Sequence, residues 1–183
     1  MKALKRAIMK VARSRIGGVL ASFCVRRCLC LLPVKVEASS AEFVMMRHPQ
    51  PIARWHAVIV PRRRFPDVEA LLQDERAWAA FAAFAEAHVD FREVSMCCNF
   101  GARQEVKQVH FHVLSREALA EKVDEETESF EMEGRKACFS SRGNAYMDVA
   151  DLACAAFVRK AFSEEKSRRP GGFSLIWRLG QWG

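Results

Sequence analysis

Three observations predict an α+β domain, an antiparallel sheet carrying one long packed helix. Two apolar runs of strand length lie before residue 62. An Ala/Phe-rich amphipathic stretch of helix length follows, and two more apolar runs come after it. Half of the 183 residues are hydrophobic, enough for a real core, and the length fits one domain with appendages.

The elements follow in order. EFVMM (42–46) reads as a short strand, closed off by the two prolines of RHPQP. RWHAVIVP (54–61) is nearly continuous in apolar residues, the mark of a strand buried on both faces. Asp67 is placed to N-cap a short helix over Val68–Leu72. The long helix runs from Asp74 to about His88, with Trp78, Phe81, Ala85 and His88 on one stripe and Ala77 and Phe84 beside it. REVSMCCNFG (92–101) is the third strand, and VHFHVL (109–114) the fourth, after the polar connection ARQEVK. A unit of about eighty residues is small to stand alone, so it is expected to lean on a second copy or on the residues that follow it.

The flanks divide the rest. Residues 1–36 hold nine basic residues and no acid. The whole chain has 29 basic and 22 acidic residues, so the remainder carries 20 against 22, a net of −2. The formal charge of +7 therefore resides in the leader, and a broad electrostatic grip of the body on nucleic acid is excluded. The leader is amphipathic if helical, with Leu4, Ile8 and Val11 on one face, which predicts a mitochondrial targeting segment. A retained basic arm is the alternative. Its apolar run, Ile16–Val25, is too short to cross a membrane. Residues 117–134, with eight acids, read as an acidic linker or solvated helix. Residues 135–183 form a C-terminal helix–strand extension. Its DVADLACAAFVRKAF…GGFSLIWRLG resembles the earlier DVEALL…AWAAFAAF…FREVSMCCNFG, a candidate partial repeat. In that reading Trp177 and Trp182 are exposed docking aromatics. The seven cysteines show neither zinc-knuckle spacing nor a disulfide framework, so no metal site is expected.

Chemistry points to VKQVHFHVLS, residues 106–115. On a strand His110 and His112 project to one face, with Gln108 in the same row, and such a row can surround a single phosphate. One imidazole can attack phosphorus while its neighbour donates to a non-bridging oxygen. The surrounding NFGARQEVKQVHFHVL resembles the signature of the histidine triad (HIT) superfamily of nucleotide hydrolases and transferases. That signature runs Asn-x-Gly, a loop, Gln-x-Val, then His-x-His-x-His, and Asn99, Gly101, Gln104, Val106, His110 and His112 match it. HPQPIARWHAVIVPRRR resembles the family's Pro-rich turn and following strand, with His56 and Pro61 in place. The resemblance spans about 42–116.

The resemblance implies a HIT-like sheet and a nucleotidyl-histidine mechanism. His110 would be the nucleophile on the α-phosphate of a purine nucleotide conjugate, and His112 a phosphate contact. Asn99 and the Gln104–Val106 segment would be further phosphate donors, and Glu105 the candidate leaving-group acid. No metal or cofactor is needed, and the expected state is a homodimer or an intrachain pseudo-dimer. The chain departs from the pattern in three places. Gln108 stands at the first triad position and cannot shuttle a proton near neutral pH. Met45 and Met46 stand where the family strand carries a histidine and ribose-binding acids, and His48, three residues on, is expected on the opposite face. The loop between Asn99 and Gln104 is about two residues short and lacks the family's usual glycines, leaving Arg103 to supply charge there. These departures support an alternative: a catalytically degenerate HIT domain serving as a structural subunit or assembly factor of a mitochondrial complex such as the ribosome.

Overall fold

The computed structural model describes residues 34–119 and 128–180. Nine strands form one sheet: β1 (Val36–Ser39), β2 (Phe43–Arg47), β3 (His56–Pro61), β4 (Val94–Gly101), β5 (Phe111–Ser115), β6 (Glu128–Met132), β7 (Arg135–Phe139), β8 (Asn144–Asp148) and β9 (Gly172–Arg178). Their spatial order is β1-β2-β3-β5-β4-β9-β8-β7-β6, antiparallel throughout except β8 against β9. Three helices pack on one face: α1 (Val68–Leu72), α2 (Glu75–His88) and α3 (Ala155–Arg168). This is the α+β architecture expected.

The strands of the first half lie within a residue or two of their sequence positions. Asp67 and Asp74 cap α1 and α2, accepting from the Ala70 and Ala77 amides at 2.9 and 3.0 Å. Alternation then sorts the side chains. Phe43, Met45, Ala57, Ile59, Met96, Cys98, Phe111 and Val113 face the helices and join the large core. The same core takes Phe157, Phe162, Phe173, Leu175 and Trp177 from the extension, so the two halves share one interior. Trp78 of α2 bridges them: its indole N–H donates to the Leu152 carbonyl at 2.9 Å, and its ring sits 6.2 Å from that of Trp177.

Two expectations are corrected, and three strands are added. Residues 128–132 are not linker or helix but strand β6, hairpinned to β7 through a turn in which Glu133 and Gly134 both have positive φ. That turn converts an acid-rich stretch into an edge strand. β1, β7 and β8 were not legible in the sequence, being short and, in β1, half polar. Trp177 is not an exposed docking residue but is fully buried, while Trp182 lies outside the described residues. The eighty-residue unit leans on its own continuation: β9 pairs with β4 over Met96–Gly101. Most of the leader also lies outside the described residues.

Candidate active site

The sheet face away from the helices carries the chemistry. β5 presents His112 there, and His110 immediately precedes the strand on the same side, their rings 4.8 Å apart. His110 Nδ1 lies 2.9 Å from the Gln108 carbonyl. A carbonyl only accepts, so Nδ1 carries the proton and Nε2 keeps its lone pair. A backbone group thus sets the tautomer that a nucleophile requires.

A second chain of bonds sets His112. The Ile52 amide donates to His56 Nδ1 at 3.3 Å, which leaves the proton of a neutral ring on Nε2. That Nε2 lies 2.9 Å from His112 Nδ1 and donates to it, so the proton of His112 resides on its own Nε2. His112 therefore offers an N–H donor beside the bare Nε2 of His110. All three rings are held neutral. Burial, then His48 and His110, pushes His56 down to about 4. Burial, then its three histidine neighbours, pushes His112 to about 2. Burial lowers His110 as well, opposed by the Gln108 carbonyl and the Glu105 carboxylate.

His48 and His56 belong to this site, contrary to expectation. β2 pairs with β3 through Arg47 and Ala57, and one further step sets His48 against His56. Their rings stack 4.1 Å apart at 6°. Parity along the strand does put His48 opposite Met45, as the sequence suggests. But Met45 faces the helices, so the opposite face is the one that holds the histidines. The pairing register, invisible in one sequence, was the missing signal. The loop between the two histidines is tied down at Trp55, whose amide donates to Ser115 Oγ at 2.9 Å and whose ring lies under Arg47.

His48, His56 and His112 offer three ring nitrogens within 4.8 Å of one another, a donor set that a zinc-type ion accepts. Two of those rings already bond each other, and the stacked pair aligns its in-plane lone pairs side by side instead of converging them. Within the cluster it is the His56–His112 bond that orders the protons, with His48 packed against both rings.

Three sequence-chosen residues take different roles. Gln108 precedes the strand, so alternation does not carry its side chain into the histidine row. Its amide nitrogen donates instead to the Pro61 and Arg63 carbonyls at 3.3 and 3.2 Å, fixing the exit of β3. Gln104 turns its donors into the protein: its side-chain N–H groups go to the Pro66 and Val106 carbonyls, and its backbone amide to the Gly101 carbonyl. Ala102 and Arg103 likewise direct their amides at Gly171 and Phe100 carbonyls. The short loop folds onto protein. Gly172 makes this approach feasible, since a Cβ there would meet the Phe100 carbonyl oxygen at 2.6 Å. Asn99 stays on the site face. The Cys98–Phe111 pair, extended one step, sets Asn99 opposite His110, and its Oδ1 accepts from Ser174 Oγ at 2.8 Å. Glu105 is exposed, within electrostatic reach of His110.

A bare imidazole nitrogen beside an imidazole donor, on the open face of a helix-backed antiparallel sheet, is the arrangement that the resemblance to the histidine triad class implies. Residues 33–119 match the family model of the HIT domain, so this stretch of the chain is a HIT domain. Similar solved structures include a histidine triad protein from Clostridium difficile, 17% identical with a TM-score of 0.41, covering 52% of this chain and 88% of that one. A HIT family hydrolase from Clostridium thermocellum is 18% identical at 0.40, covering 57% and 96%. A hypothetical protein from Leishmania major is 18% identical at 0.41, covering 81% and 96%. No curated protein sequence matches.

Proposed function

We propose that the chain cleaves a nucleotide conjugate at its α-phosphate through a nucleotidyl-histidine intermediate on His110. The observation that carries this reading is the tautomer pair: bare Nε2 on His110, N–H on Nε2 of His112. His110 Nε2 attacks phosphorus, and the bond to the leaving group breaks. The leaving group departs with a proton from the solvent side, where Glu105 stands. His112 donates to a non-bridging oxygen as negative charge builds there. Water then attacks the same phosphorus, the P–N bond breaks, and the nucleoside monophosphate leaves with His110 restored. Gln108 does not impede this sequence, because its contribution at His110 is its backbone carbonyl.

A second reading has its own support. The loop amides of residues 102–104 are consumed by protein, so the phosphate has fewer donors than the family signature implies. That favours a catalytically degenerate domain acting as a subunit of a mitochondrial assembly. The basic leader supports delivery to that organelle under either reading, and β9 on the edge of β4 supports an intrachain pseudo-dimer over a homodimer. The deciding experiment is release of AMP from adenosine phosphoramidate and from diadenosine polyphosphates by the purified chain, with His110→Ala as control. Turnover abolished in the control supports the enzyme. No turnover, with no nucleotide binding by calorimetry, supports the subunit.

A further inference from the structure

We propose that the residues beyond 134 build an anion-binding subsite for the leaving group, at the far end of a polar row that starts at His110. The inference rests on the hydrolase/transferase reading and names what that site would select. The registers define the row. Asn99 stands opposite His110, Ser174 opposite Asn99, and Asn144 opposite Ser174, all on the face away from the helices. The neighbouring row on that face is apolar beyond His112, running through Cys97, Ile176 and Tyr146. The polar row is therefore one track, crossing from the family domain into the extension.

Positive charge collects at its end. Arg103 Nη1 donates to Asn144 Oδ1 at 2.9 Å and to Ser174 Oγ at 3.1 Å, and its Nη2 to the Arg142 carbonyl. Arg169 reaches the same turn from the other side, donating to the Ser141 carbonyl at 2.7 Å. Gly143 lies between them. A Cβ there would meet Arg169 Cδ at 2.8 Å and Arg103 Nη2 at 3.1 Å, so any side chain would push the two guanidinium groups apart. Glu165 is the acid facing this cluster; it is buried in α3 and paired with Arg169 at 3.2 Å. Two strand spacings put Ser174 about 10 Å from His110. A leaving group attached to a phosphorus at His110 and running along the row would bring a phosphate or carboxylate to Arg103. The short loop is what permits this: by folding onto Gly171 and Gly172 it carries Arg103 over β9 and β8.

The test uses the full chain and two adenosine conjugates, diadenosine tetraphosphate with an anionic leaving group and adenosine phosphoramidate with a neutral one. Arg103→Gln is expected to lower kcat/KM on the first about tenfold or more and to leave the second within about twofold, because it removes a charge-assisted donor from the leaving group alone. Arg103→Lys keeps the charge without the fork and is expected to retain most of the preference. A loss of equal size on both substrates, or none on either, overturns the subsite. If neither conjugate turns over, the chemical reading fails, and calorimetry in EDTA decides the subsite separately. ATP binding about tenfold tighter than AMP, with the margin lost in Arg103→Gln, supports it, whereas equal or absent binding of the two overturns it.

Discussion

The two halves of the sheet present the same helix-covered face and opposite kinds of open face. Under the helices, β4 and β9 contribute alike to one core, Met96 and Cys98 from the first, Leu175 and Trp177 from the second. On the other side the first half packs four half-buried or buried imidazoles against one another, while the second sets arginines around a turn. The core fixes how the strands lie, and each half then uses the uncovered side for a different kind of group. The histidine half holds neutral rings by excluding water. The extension holds charge where water can reach it.

The sharpest way to break this contrast is His110→Ala, which removes the proposed nucleophile and nothing from the core. Turnover is expected to fall by about a thousandfold or more, with stability changed by no more than about 1 kcal/mol. A residual rate near wild type would move the chemistry elsewhere. Trp78→Ala attacks instead what the halves share. It deletes a fully buried indole and its bond to Leu152, and is expected to cost about 3–5 kcal/mol in chemical denaturation. One transition for both halves is expected; two would show them to be independent.

Acid titration separates the halves without mutation. His56 and His112 titrate far below the ordinary 6.5, so the unfolded chain binds protons first as the pH falls. Their contribution to stability is complete above about pH 6.5. It declines at about 1.4 kcal/mol per pH unit for each group as the pH drops towards 4, where His56 protonates and its share levels off. Denaturation midpoints measured from pH 7 to 4.5 should fall steadily in the wild type and less steeply in His56→Phe. The smallest effect belongs to His48→Ala, which removes a stacked ring and its bond to the Gln50 backbone. About 1 kcal/mol of stability and a few-fold in turnover are expected, and a larger loss would give His48 a chemical role.

The sequence made the first half legible because its periodicities are strong and its caps explicit: Asp67 and Asp74 sit where the helices begin. The pair His110 and His112 was legible as well, through alternation and the motif around it. What escaped was whatever depends on register. His48 joins the site only because β2 and β3 pair in a way that sets it against His56. Gln104 and Gln108 were misplaced because a motif fixes which residues are present and not where their amides turn. The row from His110 to Asn144 spans residues far apart in sequence and brought level only by strand pairing. Trp177 read as a surface aromatic because nothing in its neighbours reveals that a helix covers it.

The position of β9 bears on how the chain is made. Among the described residues it is the last strand to be synthesised, yet it lies between β4 and β8 and supplies the strand pairing that joins the two halves. Until residues 172–178 emerge, β4 and β8 each keep an unpaired edge, the kind of surface that recruits other chains. A ribosome that stops short of Gly172 therefore releases two open-edged sheets in place of a weakened version of this fold, and quality control would meet a sticky product.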